Sequence, residues 1–175
     1  MNEPSWKTVE YDERDWLIAR LAALATLIQV IEAAFPSPIP GVKPGLANVI
    51  TLIVFFQYGF LTAMWVSLLR ILVGSLLIGT FLSPAFALSL IGGLSSLLVL
   101  GVFSIIGRWQ AGPVGIAVLS SMAHMLGQFG LAYTLLIPHK ALFNLLPVLL
   151  AAGLLFGLVS GIIAARVLNN TRVDL

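Results

Sequence analysis

The chain has 175 residues, of which 59% are hydrophobic and only 9% are charged, and its formal net charge is +2. A soluble domain carries roughly 25% charged residues, so this composition excludes an ordinary soluble surface and predicts a protein embedded in lipid. Cysteine is absent, which excludes disulfides, thiol catalysis and cysteine-ligated metals. The basic residues are scattered singly, and this pattern gives no reason to expect a nucleic-acid partner.

The first sixteen residues are polar and net acidic. A secretory signal would begin with a positive region before its apolar core, so residues 1–16 are predicted to be a retained cytoplasmic tail. Residues 17–167 are predicted to form a single membrane domain, and residues 168–175 a second cytoplasmic tail.

Five apolar runs follow one another along this domain, and they predict six helices because the second run divides into two. The first run ends at Pro36, Pro38 and Pro40, because proline cannot continue a helix. The second run is too long for one span, and Gln57-Tyr58-Gly59 offers the turn that divides it. No alternation typical of strands occurs. The predicted helices cover residues 17–35, 45–58, 60–81, 84–106, 114–137 and 141–167.

The second predicted helix raises a question about topology. Its length of about 21 Å is short of the ~30 Å hydrocarbon core, so a re-entrant segment with five true spans is the alternative. Cytoplasmic loops are enriched in Lys and Arg. Six spans with both termini inside place most basic residues in the cytoplasm, and five spans would divide them. We therefore predict an all-α six-helix bundle, N-in and C-in, in the bacterial cytoplasmic (inner) membrane.

Three ionisable residues fall inside predicted helices, namely Glu32, Arg70 and His124. Such groups are costly in lipid and usually face the protein interior. Gln29 shares a helix face with Glu32, and Gln128 shares one with His124. The set either lines a solute pocket, or it forms an internal Arg70–Glu32 ion pair with amides that hold the bundle together.

Small residues form stripes on two predicted helices. The stripe on the last helix contains Gly153, Gly157 and Gly161. The stripe on the first helix contains Ala19, Ala22 and Ala23. Small residues let helices approach closely in lipid, so each stripe predicts either packing within the chain or docking of another membrane subunit.

The chain contains no GxxxxGK[ST], HExxH or GxSxG motif. Five of its seven acidic residues lie in the N-terminal tail. We therefore expect no enzymatic activity, no cofactor and no metal site, and any energy from ATP would have to come from partner proteins.

Several segments carry a resemblance to a known family. They are the proline-rich segment from Glu32 to Asn48, Leu69-Arg70-Ile71-Leu72, the segment from Gly79 to Pro84, and Ala123-His124-Met125-Leu126-Gly127-Gln128. Over residues 17–167 the sequence resembles the Gx transporter family, also labelled heptaprenyl diphosphate synthase component I.

That family is similar to the substrate-binding S components of energy-coupling factor transporters. The resemblance implies six helices and a pocket near the outer surface, with Lys43 and Asn48 in a lid. Residues expected to line the pocket are Glu32, Arg70, His124 and Gln128. The stripe Ala19, Ala22 and Ala23 would dock a transmembrane coupling subunit, which works with ATPases.

The resemblance predicts a membrane subunit that captures a small solute of unknown identity. The alternative, suggested by the synthase label, is a non-catalytic accessory subunit of isoprenoid or quinone metabolism. A membrane partner of a redox assembly is a third possibility.

Overall fold

The computed structural model describes residues 12–34, 47–107 and 109–173, and within these ranges it contains helices and no strand. The fold is an all-α membrane bundle, as the sequence predicted. The six α-helices in these ranges are α1 Glu13–Ala34, α2 Ala47–Tyr58, α3 Phe60–Ile78, α4 Pro84–Ile106, α5 Gly112–Leu131 and α6 Leu146–Val173. A π-helical turn, Ala132–Leu136, extends α5, and a 3-10 turn, Lys140–Leu145, precedes α6.

The breaks between helices follow from local chemistry. Gly59 has φ 89° and separates α2 from α3, at the turn that the sequence predicted. Gly79 ends α3 in the left-handed conformation with φ 76°, which costs glycine little because it has no Cβ. The Ser83 side chain accepts a hydrogen bond from the Phe86 N–H at 3.3 Å, and Pro84 starts α4. Gly59 and Gly79 thus end α2 and α3, and Ser83 with Pro84 starts α4.

The short helix α2 lies at the centre of the bundle. It contacts α1, α3, α5 and α6. Most of its side chains are buried, including Val49, Leu52, Val54, Phe55 and Phe56. At 12 residues it is about 18 Å long. Among the described residues, five helices are long and apolar enough to cross a membrane, and α2 is shorter than that. A helix enclosed by other helices does not have to match the bilayer thickness, because protein rather than lipid surrounds it.

The outer surface of the bundle is apolar. Leucine, isoleucine and valine side chains are exposed along the long helices, with Leu77, Leu98 and Ile105 among the most exposed. A soluble protein rarely exposes such continuous apolar surface, whereas lipid solvates it. The protein is therefore a multi-pass membrane protein.

The glycines of α6 lie against the backbone of α5. A Cβ added at Gly157 would lie 2.7 Å from the Val118 Cα, and one added at Gly161 would lie 2.6 Å from the Val114 Cα. Gly153 faces Met125 with more room, at 3.1 Å from its Cγ. The contacts descend α5 as they ascend α6, so the two helices are antiparallel. The stripe packs within the chain.

The docking surface predicted on α1 is only partly consistent with the structure. Ala19 and Ala23 are exposed, but Ala22 is only 6% exposed and lies with Ala25 and Thr26 on the face turned into the bundle. Successive helical residues differ by about 100°, so Ala22 and Ala23 cannot point at the same neighbour. Ala22 is therefore removed from the predicted docking surface, and Ala19 and Ala23 stay within it.

The close α5–α6 contact predicts the effect of adding one methyl group. Gly157→Ala or Gly161→Ala should lower the free energy of unfolding by about 1–3 kcal/mol, because the new Cβ would meet backbone atoms that cannot move aside. The matched control is Gly130→Ala on α5, where a Cβ would meet nothing within 4 Å. That change should be neutral or stabilising by about 0.5–1 kcal/mol. Thermal unfolding in detergent measures all three, and equal melting temperatures would contradict the packing argument.

Candidate functional site

A partly enclosed cavity of ≈ 230 Å³ lies inside the bundle. The residues around it come from all six helices and are concentrated where α1 and α3 end and where α2 and α4 begin. The cavity therefore lies toward one end of the bundle. Under the N-in topology that the basic residues favour, this is the outer end.

The polar residues predicted from the sequence converge on this cavity. Those that line it are Glu32, Asn48, Arg70, His124 and Gln128, together with Gln29. They are contributed by α1, α2, α3 and α5. The remaining predicted residue, Lys43, lies outside the described residues. Residues separated by up to about a hundred positions in the sequence thus share one enclosed space.

Arg70 is the most deeply placed of these groups, with only 6% of its surface exposed. Its Nη2 donates a hydrogen bond to the Asn48 Oδ1 at 2.9 Å. Gly59 explains the pairing, because Asn48 lies eleven residues before it and Arg70 eleven residues after it. The antiparallel α2–α3 pair therefore brings the two side chains to the same depth. Asn48 was expected in a lid, but the structure places it as a direct partner of the guanidinium.

Glu32 lines the cavity from α1. Gln29, one helical turn earlier, also faces the cavity. A Cβ added at Gly74 of α3 would lie 2.6 Å from the Gln29 Nε2, so this glycine creates the space into which the Gln29 amide turns. Glu32 and Arg70 thus line the same cavity, and the charge attraction between them stays a prediction.

His124 belongs to a chain of hydrogen bonds between α4 and α5. Its Nε2 lies 3.0 Å from the Gln128 Nε2, and its Nδ1 lies 3.5 Å from the Ser96 Oγ. The Ser96 hydroxyl donates to the Ser120 carbonyl oxygen at 2.9 Å. With the Gln128 amide as donor, His124 accepts at Nε2 and is neutral, and its Nδ1–H points toward Ser96. This arrangement satisfies an interior histidine without a metal.

Glycine also makes room for the histidine. A Cβ added at Gly92 of α4 would lie 2.7 Å from His124 ring atoms and 2.9 Å from the Gln128 Cγ. The Gly92-Gly93 pair lies in the middle of a continuous helix, and Gly93 faces Ile71 of α3. The pair therefore makes room for side chains from two neighbouring helices.

The hydroxyl groups of the cavity were not predicted from the sequence. Those that line it are Ser75, Thr80, Ser89, Ser120, Ser121 and Ser160. Some of them donate to their own helix, as Ser75 does to the Leu72 carbonyl at 2.8 Å, and this leaves their oxygens as acceptors. Serine is common in membrane helices, so a single serine does not by itself predict a binding site. The sequence did contain one signal for these hydroxyls. Several serines lie at the same depth in the predicted helices as the ionisable residues.

The described residues of the site offer charge and hydrogen-bonding groups. Among the described residues, no group of three or more His, Cys, Asp or Glu side chains could hold a metal ion. The second histidine, His139, lies before α6, where its Nδ1 accepts a hydrogen bond from the Ala141 N–H at 3.2 Å. It therefore has a local structural role in the 3-10 turn.

Fold and cavity together define a multi-pass α-helical membrane protein with a small polar cavity inside an apolar bundle. Comparison with protein families matches residues 21–167 to the family described as heptaprenyl diphosphate synthase component I. The match covers most of the chain, and the protein belongs to this family. Comparisons with curated proteins and with solved structures gave no match.

The Arg70–Asn48 hydrogen bond generates a stability prediction. Asn48→Ala should lower the free energy of unfolding by about 1.5–3 kcal/mol, because it removes an acceptor from a buried cation. Asn48→Asp should retain much of that stability, because a carboxylate oxygen can replace the amide oxygen. Asn144→Ala, at an exposed asparagine, is the matched control and should change stability by less than about 0.5 kcal/mol. Thermal unfolding that is equal in Asn48→Ala and Asn144→Ala would show that the bond contributes nothing.

Proposed function

We propose that this protein is a membrane substrate-binding subunit that captures a small polar solute in the cavity, in the manner of an S component. The observation that carries the proposal is the convergence of Glu32, Asn48, Arg70, His124 and Gln128 on one enclosed space. Ionisable residues inside a membrane protein are costly and usually mark a solute or ion pathway. A bundle held only by packing would not require so many of them at one place.

The dimensions of the cavity support a small solute. Its volume of ≈ 230 Å³ is below the ~300–1,000 Å³ of pockets that hold drug-sized ligands. Among the described residues, one guanidinium, one carboxylate and several amides and hydroxyls surround this space, and the other walls are apolar. Such a lining selects a compact polar molecule rather than a lipid chain.

Uptake would need partners that supply energy, because the sequence has no nucleotide-binding motif. We propose a transmembrane coupling subunit with ATPases as the partners. Ala19 and Ala23, exposed on one side of α1, would form the docking surface, because small residues allow close approach of another helix. With both termini in the cytoplasm, the cavity would open toward the outside.

The second candidate is a non-catalytic accessory subunit of an isoprenoid or quinone enzyme. The family description favours it, because that description names a component of a prenyl diphosphate synthase. In this case the polar cavity would stabilise the bundle, and the partner would be a soluble or membrane-bound synthase. A third candidate, a partner of a redox assembly, has no observation in its favour.

Copurification from native membranes distinguishes these candidates. The tagged full-length protein is purified in mild detergent, and associated proteins are identified by mass spectrometry. We expect a transmembrane coupling subunit with ATPases, and recovery of a prenyl diphosphate synthase instead would contradict capture and favour the second candidate.

The docking surface has its own matched pair of variants. Ala23→Leu should remove the coupling subunit from the purified material, because the larger side chain prevents close helix approach. Ala151→Leu, at an exposed alanine of α6, should retain it. Loss of the partner in both variants, or in neither, would place the docking surface elsewhere.

A further inference from the structure

The Arg70 guanidinium has hydrogen-bonding capacity that the described residues do not use. Its Nη2 donates to Asn48, but its Nε is buried and has no hydrogen-bond partner in the described part of the chain. A guanidinium carries five N–H donors in a planar fork that matches the two oxygens of a carboxylate. The neutral Asn48 oxygen satisfies one of these donors at 2.9 Å, and the Nε donor stays available to a bound acceptor.

The charges around the cavity are balanced. Among the described residues that line it, Arg70 is the permanent cation and Glu32 is the carboxylate. Adding a net charge to a low-dielectric interior is costly. A purely anionic solute would be repelled by Glu32, and a purely cationic one would be repelled by Arg70. A solute with one charge of each sign meets a complementary group at both ends and leaves the interior neutral.

The anionic group of the solute and its apolar part can both be specified further. A phosphate ester carries nearly two negative charges at neutral pH, and one guanidinium beside a carboxylate does not balance them. A carboxylate carries a single charge and fits the guanidinium fork. Phe86, Met125 and Phe156 provide apolar surface on other sides of the cavity, where a short hydrocarbon group can lie.

From these observations we propose that the captured solute is a small zwitterion of amino-acid size. Its carboxylate binds the Arg70 guanidinium, its cationic group lies toward Glu32, and its apolar part contacts the aromatic and methionine side chains. This inference rests on the proposed capture function and narrows it to a chemical class.

The test compares charge states of the same molecules. The purified full-length protein in lipid nanodiscs is titrated with alanine, leucine, phenylalanine and glycine betaine, with binding measured by calorimetry and thermal unfolding. The N-acetyl derivative of each amino acid removes its positive charge, and the methyl ester removes its negative charge. We expect at least one zwitterion to bind, and its two derivatives to bind about 10- to 100-fold more weakly, because each loses a charge-assisted hydrogen bond.

Two variants locate the two ends of the solute. Glu32→Gln should reverse the preference, so that the N-acetyl anion binds at least as well as the zwitterion, because its repulsion by Glu32 is gone. Arg70→Gln should abolish binding of both. Asp15→Asn removes an exposed carboxylate at the opposite end of α1 and should leave affinity unchanged. If Arg70→Gln does not fold, the reversal in Glu32→Gln remains a complete test, because it is a change of selectivity in a folded protein.

The outcomes separate this inference from the proposed function. Equal binding of the zwitterion and its N-acetyl derivative to the wild-type protein would overturn the zwitterion and leave anion capture at Arg70. Binding of no compound in the series would also overturn the zwitterion class, while recovery of the coupling subunit would still support capture. Binding of a zwitterion that is unaffected by both cavity variants would place the solute outside this cavity.

Discussion

The need to accommodate one buried guanidinium organises the interior of this protein. Arg70 lies in the middle of α3, where the bundle is surrounded by lipid-facing side chains, and it is almost completely buried. In lipid such a cation has to find acceptors within the protein. Asn48 supplies one at 2.9 Å, which requires α2 to lie antiparallel beside α3. The central position of the short helix α2 and the polar cavity beside it both accompany this pairing.

Glycine has two distinct roles in meeting that requirement. In α6, Gly157 and Gly161 bring two backbones together, which strengthens helix association in lipid. Around the cavity, Gly74 and Gly92 leave space into which Gln29 and the ring of His124 turn. The first role removes volume to tighten an interface, and the second removes it to admit polar side chains to the interior. The positions of the glycines therefore indicate both where helices pack closely and where the cavity has space for polar side chains.

Much of the fold could be predicted from the sequence because lipid imposes simple rules. Apolar runs, prolines and Gly59 locate the helices, since a helix in lipid has few ways to end. The polar cluster could be anticipated from depth alone. The partner of Arg70 could not, because the contact with Asn48 depends on the angle and offset of α2 against α3. The burial of Ala22 was missed for a similar reason, since a stripe of small residues does not indicate which edge turns inward.

The family description names a prenyl enzyme, but the cavity does not fit a prenyl chain. A heptaprenyl chain is several times larger than a space of ≈ 230 Å³, and it is apolar, whereas this space contains a guanidinium and a carboxylate. The cavity is therefore unsuited to a prenyl chain. Any contact with prenyl lipids would occur on the outer surface, where leucine and isoleucine side chains are exposed along the long helices. Under the proposed function, a polar ligand would account for the cost of keeping Arg70 and Glu32 inside, whereas under the accessory-subunit candidate the same groups would serve only the stability of the bundle.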